Sequence, residues 1–254
     1  MSALQDFTGK VAIVTGGAQG MGREYVRLLA EAGARVVIAD INAEVAEATI
    51  AGLGMGDRVA FVATDVGSVE ACNACAAATV ERFGGVDFLV NNAGLLSAAA
   101  HRSLVAVDLD IYHRVLGIMG HGMLYMTRAV VPAMQARGGG AIVNISSIGA
   151  YQATGLYSLS KVIVNGLTVN LAHELAALNI RVNAIAPGTV ATEGMEPLMS
   201  VEQMRQWGRA GGRPTDRVAA PSEIARVGLF LLSDAASYVR GQIIAVDDGQ
   251  LIRL

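Results

Sequence analysis

Tyr157 and Lys161 are the two side chains of this sequence whose types and spacing point most directly to chemistry. They are four residues apart on a predicted helix, so both side chains lie on one face. The hydroxyl of tyrosine has a pKa of about 10 in water and exchanges protons near neutral pH only if that value falls. An ammonium group stabilises the phenolate, so we expect Lys161 to lower the pKa of Tyr157. An ordinary exposed pair on a helix is the alternative that these two residues alone leave open.

A hydroxyl beside this pair would polarise a carbonyl group and orient it toward Tyr157. Ser146 and Ser147 both stand at the end of a predicted strand, and either could supply that hydroxyl. Together with an acid or base at Tyr157, this arrangement predicts proton transfer to or from an oxygen atom of a bound molecule. The serines themselves do not decide which of them takes part.

A glycine-rich turn follows a buried strand near the start of the chain. Val11–Thr15 is the strand, Gly16, Gly20 and Gly22 lie in the turn, and a helix begins beyond them. Glycine permits a tight turn, lets the backbone approach a pyrophosphate and lets the helix pack close to the sheet. The free N–H groups at the helix N-terminus then favour a phosphate group. We therefore predict a dinucleotide-binding turn.

An acidic residue at a suitable distance extends this prediction. Asp40 ends the apolar stretch Arg35–Asp40 and lies 18 residues beyond Gly22, close to the roughly 20 residues expected for a ribose-binding carboxylate. A carboxylate there accepts hydrogen bonds from both ribose hydroxyls of NAD and repels the 2′-phosphate of NADP. NAD is thus the expected cofactor, and a solvated aspartate at a strand end is the alternative.

Short β-branched segments and longer helical segments alternate along the chain and must position these residues. The predicted strands are Val11–Thr15, Arg35–Asp40, Val59–Ala63, Phe88–Asn91, Ala141–Ser146, Arg181–Ala186 and Ile243–Val246. The helical segments include Met21–Ala32, Ser68–Phe83, Ile111–Met134, Tyr157–Ala177 and Ser222–Leu232. This alternation predicts an α/β fold, a single doubly wound Rossmann-type parallel sheet of about seven strands with helices on both faces. No linker or repeat divides residues 1–254, so a single domain is expected.

The motifs of the chain resemble those of the classical short-chain dehydrogenases/reductases over nearly its whole length. Thr15–Gly22 reads T-G-x-x-x-G-x-G, Asn91–Gly94 reads N-N-A-G, and Tyr157–Lys161 reads Y-x-x-x-K. Pro187-Gly188 also follows the pattern of that family. The late Asp247-Asp248-Gly249 resembles its D-G-G, with Asp248 where glycine is common and only a structural effect expected. The occurrence of the whole set in this order makes the resemblance specific.

The resemblance implies an NAD-dependent interconversion of a secondary alcohol and a ketone. In reduction, hydride passes from NADH to the carbonyl carbon while Tyr157 protonates the oxygen. The family motif I-S-S favours Ser147 over Ser146, so the implied catalytic residues are Ser147, Tyr157 and Lys161. Similar enzymes are homotetramers or homodimers built through the helices predicted at Ile111–Met134 and Tyr157–Ala177.

The resemblance also implies a set of cofactor contacts. Asp65 and Val66 would hold the adenine, Asn91 would support the central sheet, and Lys161 would also bond the nicotinamide ribose. The full cofactor-binding set is Gly16, Gln19, Gly20, Met21, Gly22, Asp40, Ile41, Asp65, Val66, Asn92, Ala93, Gly94, Tyr157, Lys161, Pro187, Gly188, Val190 and Thr192.

The sequence departs from the family pattern at Met119, where the family usually has asparagine. In similar enzymes the main-chain carbonyl of that residue holds a water in a proton relay, and this carbonyl survives the substitution if the helix stays bent. Gly117, Gly120 and Gly122 permit such a bend, so we expect activity to be retained. His121 either restores a polar link or lies on the helix face. The Ser147–Tyr157 spacing is shorter than usual and predicts a tight loop.

Two other classes of protein remain as alternatives. A nicotinamide-binding sensor or scaffold without turnover is kept open by Met119. A lyase on the same scaffold, such as a halohydrin dehalogenase, is disfavoured because such relatives lack the phosphate-binding turn and the ribose-binding acid.

A substrate lid is expected at about residues 192–220, since the family closes the nicotinamide site with this segment. The apolar residues Met195, Met199, Met204 and Trp207 suit a hydrophobic substrate. Four arginines, Arg205, Arg209, Arg213 and Arg217, either capture an anionic group or form a solvated face. Leu95, Leu96, Ser97, Tyr151 and Gln152 are expected on the opposite side of the pocket.

The overall composition narrows the possible partners. A formal net charge of −3 without a basic run argues against nucleic acid, and no apolar run reaches the roughly 18 residues of a membrane helix. The N-terminal residues show no apolar signal segment, so a cytoplasmic location is expected. The sequence shows no metal site, and we expect Cys72 and Cys75 to be buried small side chains rather than a redox pair.

Overall fold

Seven short strands form the centre of the molecule. A computed structural model describes residues 6–95 and 103–252. Its strands are β1 (Val11–Thr15), β2 (Arg35–Asp40), β3 (Val59–Ala63), β4 (Phe88–Asn91), β5 (Gly140–Ile145), β6 (Ile180–Pro187) and β7 (Ile243–Val246). All neighbours pair in parallel in the order β3-β2-β1-β4-β5-β6-β7. The predicted α/β fold is confirmed, with strand bounds shifted by one residue at β5 and at both ends of β6.

Helices cover both faces of this sheet. They are α1 (Gly20–Glu31), α2 (Ala43–Leu53), α3 (Val69–Phe83), α4 (Leu109–Leu116), α5 (Gly122–Ala136), α6 (Leu156–Glu174), α7 (Val201–Ala210) and α8 (Pro221–Leu232). One apolar core joins α1 and α8 to the sheet through residues such as Tyr25 and Ile224. The other joins α3, α5 and α6 to the opposite face through residues such as Cys75, Met126 and Leu171. No helix in the described ranges combines the length and the apolar character that crossing a bilayer would require.

The helical stretch predicted over Ile111–Met134 is present, and it contains a π turn at the predicted place of a local bend. A π-helical turn at Gly117–His121 separates α4 from α5. Close packing accounts for one glycine of the turn and for the first residue of α5. A Cβ at Gly120 would lie 3.2 Å from Ile163, and one at Gly122 would lie 2.9 Å from the Val66 carbonyl oxygen. The helical stretch therefore approaches α6 and the loop after β3 more closely than side chains would allow. The π turn adds one residue to the helix at this place.

The other predicted helices differ from the structure only near their ends. Observed α1 begins at Gly20, one residue before the predicted start, and Ser68 is the N-cap of α3 because its hydroxyl accepts a hydrogen bond from the Ala71 N–H. Observed α6 ends at Glu174, and Ala176–Leu178 is a short 3₁₀ turn rather than its continuation.

Buried polar side chains cross the middle of the sheet and tie it to the helices behind. The Asn91 amide nitrogen donates to Asn144 Oδ1 at 2.9 Å and to Thr127 Oγ1 at 3.2 Å. The Asn144 amide nitrogen donates in turn to Thr168 Oγ1 on α6 at 2.9 Å. Because unpaired polar groups are expensive to bury, this chain of hydrogen bonds fixes how α6 sits on β4 and β5.

Replacing Asn144 with alanine tests that function of the network. Asn144→Ala leaves the Asn91 amide nitrogen and Thr168 without this shared partner in a buried place, so we expect the free energy of unfolding to fall by about 3 kcal/mol. Urea unfolding measures the change. The control is Asn170→Ala on the exposed side of α6, the helix that carries Thr168, and its effect should stay within about 0.5 kcal/mol. Equal effects of both substitutions would contradict this view of the network.

Candidate active site

The predicted site residues gather at one edge of the sheet, because parallel strands all end there. The strand ends and the loops after them carry Gly16, Asp40, Asp65, Asn92, Ser147 and Gly188. Their convergence defines a crevice at the point where the chain order reverses between β1 and β4. Ile41 and Asp65 are exposed at the rim of this edge.

The glycine turn after β1 fits tightly against the loop after β4. Gly16 has φ +61°, and a Cβ on it would lie 2.9 Å from Ala93 Cα. A Cβ on Gly22 would lie 2.0 Å from the Gly16 carbonyl oxygen and 2.7 Å from the Asn92 amide nitrogen. Side chains at these positions would push the turn open, so the glycines keep the N-terminus of α1 close to the sheet.

Thr15 anchors this contact and was not assigned a role in the sequence analysis. Its hydroxyl accepts the N–H groups of Asn92 and Ala93, both at 3.0 Å. The Asn92 amide nitrogen donates back to the carbonyl oxygens of Thr15 and Gly16, both at 3.0 Å. Thr15 is the first residue of the T-G-x-x-x-G-x-G motif that also contains Gly16, so its role could have been inferred from that motif.

Asp40 is oriented by backbone donors on two sides. One carboxylate oxygen accepts the Ala18 N–H at 3.1 Å and the other accepts the Asn42 N–H at 3.1 Å. The first bond joins Asp40 directly to the glycine turn. The carboxylate is therefore fixed at the end of β2, beside the predicted path of a dinucleotide, with further lone pairs on both oxygens.

Tyr157 and Ser147 come together because a glycine lies between them. Their hydroxyl groups share a hydrogen bond, and the Gly149 N–H donates to Ser147 Oγ at 3.0 Å. A Cβ on Gly149 would lie 2.9 Å from the Tyr157 ring and 3.2 Å from Ser147 Oγ. The absence of a side chain at Gly149 thus permits the contact, and this residue was missed in the sequence analysis.

Ser146, the alternative serine, is held by another partner. It is buried, and its hydroxyl donates to Asn165 Oδ1 on α6 at 2.6 Å. The Asn165 amide nitrogen donates to Tyr151 Oη at 3.2 Å. Of the two serines, Ser147 therefore has the hydroxyl that contacts Tyr157.

The loop between Ser147 and Tyr157 is tight, as the short spacing suggests. A 3₁₀ turn spans Ile148–Tyr151, and Ser158 anchors the backbone on both sides of it. The Ser158 hydroxyl donates to the Gly149 carbonyl oxygen at 2.7 Å and accepts the Thr154 N–H at 2.9 Å. The loop is thus pinned to the residue next to Tyr157 in the chain.

Lys161 is buried, and its ammonium group donates to the Ile145 carbonyl oxygen at 2.9 Å. Its Nζ lies 5.8 Å from the centre of the Tyr157 ring. Burial lowers the pKa of Lys161 to about 8. The ammonium group is therefore close to the phenol and only weakly held in its charged form.

The pKa of Tyr157 differs from the sequence-based expectation. Burial raises it above the ordinary value, and the hydrogen bond with Ser147 offsets this rise only in part. The reason is that desolvation penalises the phenolate more than its surroundings stabilise it. At neutral pH the hydroxyl group of Tyr157 therefore carries its proton.

Met119 lies inside the π turn and touches both sides of the site. Its side chain is buried, with Cε 4.0 Å from the position of a Cβ on Gly94 and Sδ 3.9 Å from the Ser160 hydroxyl. The backbone around it is bent, as the glycines led us to expect. His121 is exposed and its ring lies 6.2 Å from that of Tyr125, so it belongs to the helix face.

The segment after β6 closes over the glycine turn. A Cβ on Gly188 would lie 2.9 Å from Asp247 Cα, and Val190 pairs with Ala219. Thr192 packs on the turn, with its Cβ 3.5 Å from the position of a Cβ on Gly20. The Thr192 hydroxyl is buried without a hydrogen-bond partner, and such a group suits a ligand that can bond to it.

The expected lid holds α7, and its apolar and basic residues are each divided between the interior and the surface. Met204 is fully buried, whereas Trp207 is 43% exposed. Arg205 and Arg209 pair with Glu202, and Arg217 pairs with Glu223. For these three arginines the ion pairs favour a solvated charged face over capture of an anion. Arg213 is buried instead, and its Nε donates to the Thr215 carbonyl oxygen at 3.1 Å. Leu96 and Ser97, expected on the opposite side of the pocket, lie outside the described residues.

The two cysteines are buried free thiols, as expected. Burial raises the pKa of the Cys72 thiol to about 11, so little thiolate forms near neutral pH. Within residues 6–95 and 103–252, no three His, Cys, Asp or Glu side chains gather as a metal site would require.

Comparison with known proteins finds relatives that match along nearly the whole chain. A family model described as enoyl-(acyl carrier protein) reductase matches residues 16–250. An oxidoreductase from Mycobacterium tuberculosis is 44% identical over 248 residues, covering 97% of this chain and 99% of the relative. A short chain dehydrogenase/reductase from Aspergillus oryzae is 39% identical, covering 95% and 94%.

A solved structure extends the likeness to three dimensions. It is a 7α-hydroxysteroid dehydrogenase complexed with NADH and 7-oxo glycochenodeoxycholic acid. It matches with a TM-score of 0.90 at 32% identity, covering 100% of this chain and 99% of that chain.

The buried ammonium group of Lys161 predicts a pH dependence of stability. The pKa of Lys161 falls from 10.5 to about 8 on folding. Below pH 8 both the folded and the unfolded chain hold the proton, so folding carries the full cost of burying the charged ammonium group, about 3 kcal/mol. Between pH 8 and pH 10.5 the Lys161 amine of the folded chain has lost its proton while that of the unfolded chain keeps it. The free energy of unfolding therefore rises with pH across this range. Urea unfolding of the wild type and Lys161→Met should give a difference that favours the variant at pH 7 and shrinks by about pH 10. A difference independent of pH would contradict this account.

Proposed function

Since the chain belongs to the short-chain dehydrogenase/reductase family, as its motifs predicted, we propose that it is an NAD(H)-dependent oxidoreductase that interconverts a secondary alcohol and a ketone. The observation that carries this proposal is the hydrogen bond between the Ser147 and Tyr157 hydroxyl groups, with the Lys161 ammonium group 5.8 Å from the tyrosine ring. This arrangement offers a proton and an orienting hydroxyl at the edge of the sheet that also holds the glycine turn.

The described residues fit a dinucleotide. The turn at Gly16 and Gly22 leaves no room for a Cβ, which is what a close backbone approach requires. The first N–H groups of α1 would hold the pyrophosphate, and Asp40 would accept the hydroxyls of the adenine-side ribose. The unpartnered hydroxyl of Thr192 would bond toward the nicotinamide end. Asp40 at this place supports NAD over NADP.

The residues of the chain supply the proton and the orientation. When bound, the nicotinamide supplies or accepts the hydride. The Gly149 N–H donates to Ser147 Oγ and orients this hydroxyl, whose proton would turn from Tyr157 to the substrate oxygen. Tyr157 Oη gives its proton to that oxygen during ketone reduction and takes it back during alcohol oxidation. Its raised pKa keeps the proton in place at neutral pH, which favours the reduction.

The bent backbone at Met119 supports turnover rather than a sensor without activity. The bend that the family places here is present as the π turn at Gly117–His121, although the asparagine amide is not. The proposed contribution of the Met119 main-chain carbonyl therefore does not depend on the side chain at this position. A nicotinamide-binding sensor without turnover is the second candidate function. The observation that favours it is Met119, which lacks the side-chain amide of the usual asparagine.

The substrate that we propose has an apolar body beside its carbonyl group. An apolar cluster of Val115, Leu116, Met119 and Leu156 lies next to Tyr157, with Leu95 packed against it. These four side chains are at most 6% exposed and pack behind Tyr157. The apolar surroundings that they give the proposed acid suit an apolar alicyclic or steroid-like ketone better than a sugar. The structural relative complexed with a 7-oxo steroid acid supports the same class.

Self-association through α6 is also proposed. Val162 and Val169 are 49% and 51% exposed on this helix. Apart from its chain neighbours and the adjacent backbone of α6, no atom lies within 4 Å of a Cβ on Gly166 between them. A helix face that is apolar and flat suits a second copy of the same face. The helix that carries Tyr157 would then be held on both sides.

Removal of the Tyr157 hydroxyl is the direct test of the proposed function. Tyr157→Phe should lower kcat/KM for ketone reduction by about 10²- to 10⁴-fold, because the proton donor is lost while the ring still packs. Loss of NADH absorbance measures the rate against a panel of alicyclic and steroid ketones. Tyr125→Phe, on α5 away from Ser147, is the matched control and should be as active as the wild type.

The remaining outcomes separate the two candidates. If the wild type binds NADH and reduces none of the ketones, Met119→Asn is assayed on the same panel. Activity gained in Met119→Asn would favour the sensor and overturn turnover by the natural chain. Equal activity of Tyr157→Phe and wild type would overturn the proposed acid.

The choice of NAD is tested at Asp40. Asp40→Ser removes the charge that repels a 2′-phosphate, so the preference for NADH over NADPH in kcat/KM should fall about 30-fold or more. Asp57→Ser makes the same change of charge at an exposed place between α2 and β3 and should leave the preference unchanged. A preference for NADPH in the wild type would contradict the proposal.

A further inference from the structure

Glu193 lies at the N-terminal end of α1, where the dinucleotide is proposed to bind. Its carboxylate pairs with Arg23 at 2.5 Å and accepts a hydrogen bond from the Gly20 N–H. Glu193 Oε2 is 3.9 Å from the position of a Cβ on Gly20. The chain therefore places its own carboxylate at the end of the helix that the glycine turn keeps open.

The surroundings favour the charged form of this carboxylate. Burial opposes ionisation of Glu193, but its own N–H, the Arg23 charge and the Gly20 N–H together outweigh that effect and lower the pKa. Positive charge and unpaired N–H groups at a helix N-terminus favour any anion in the same way. A carboxylate and a phosphate thus bind to the same donors.

We propose that Glu193 competes with the pyrophosphate of the dinucleotide for the N-terminal donors of α1, and that it sets the affinity for the cofactor. The proposal rests on the proposed function, since it requires a dinucleotide at the glycine turn. Binding of the pyrophosphate displaces the Glu193 carboxylate and releases Arg23, whose charge then faces the incoming phosphates. Glu193 is accordingly a residue that determines affinity and not a catalytic residue.

The location of Glu193 connects this competition to the lid. Glu193 directly follows Thr192, whose buried hydroxyl lacks a partner and whose side chain packs on Gly20. Displacement of the carboxylate therefore removes an ion pair that ties the first residues of the lid to α1. The ion pair is half exposed, at 40% for Arg23 and 44% for Glu193, so its strength is modest and a dinucleotide can overcome it.

The test measures binding rather than turnover. Glu193→Gln keeps the shape of the side chain and removes its charge, and should lower the Kd for NADH about fivefold, the size expected for one partly exposed helix-end charge. ADP-ribose, which contains the pyrophosphate but no nicotinamide, should show the same change. Calorimetric titration of the full chain measures both ligands.

Glu196→Gln is the matched control. It removes an equal charge from the same exposed segment, where no ion pair with α1 is found among the described residues, and should leave the Kd for NADH within about twofold. A Kd for Glu193→Gln equal to or higher than that of the wild type would overturn the competition. An equal tightening in Glu196→Gln would also overturn it, because the effect would then be general charge.

The two proposals fail in distinguishable ways. A wild-type chain that binds neither NADH nor ADP-ribose overturns the dinucleotide site and, with it, the competition. A wild type that binds both ligands while Glu193→Gln gains nothing overturns the competition alone.

Discussion

The close backbone contact between the ends of β1 and β4 is the constraint on which the rest of the site depends. Thr15 joins the two ends by accepting two N–H groups, and Gly16 and Gly22 are small enough for the turn to lie against Asn92. On one side of this junction the chain continues to Asp40, on the other to Ser147 and Tyr157. A wider junction would separate the groups that hold a cofactor from the groups that handle the proton.

A buried cation beside a buried phenol is the second feature that shapes the molecule. Neither Lys161 nor Tyr157 is in an environment that favours its ionised form. Near neutral pH the buried Lys161 charge costs stability that the apolar core must offset, whereas Tyr157 is neutral and carries no such cost. Groups kept in such environments are typical of sites that do chemistry. The two polar chains behind them, from Asn91 to Thr168 and from Ser146 to Tyr151, keep α6 from moving away and letting water reach the pair.

Much of this could be predicted from the sequence, because the strands and the motifs are local patterns. Alternating β-branched and helical segments predicted the parallel sheet, and glycine spacing predicted the turn that packs on Asn92. What the sequence could not provide are effects of distant residues on one another. The direction of the Tyr157 pKa depends on burial by several elements, Gly149 acquires meaning only when the Tyr157 ring lies over it, and Glu193 meets α1 across 170 residues of chain.

The π turn at Gly117–His121 changes the direction in which the side chains of α5 point relative to those of α4. One additional residue rotates everything beyond it by roughly 100° about the helix axis. With that rotation α4 turns Val115 and Leu116 toward the cluster beside Tyr157, while α5 turns Met126 and Val130 toward the sheet. In a regular α-helix without the π turn, the apolar side chains of α4 and α5 could not face both the cluster beside Tyr157 and the sheet. The π turn thus lets one helical stretch pack beside the site through α4 and against the sheet through α5.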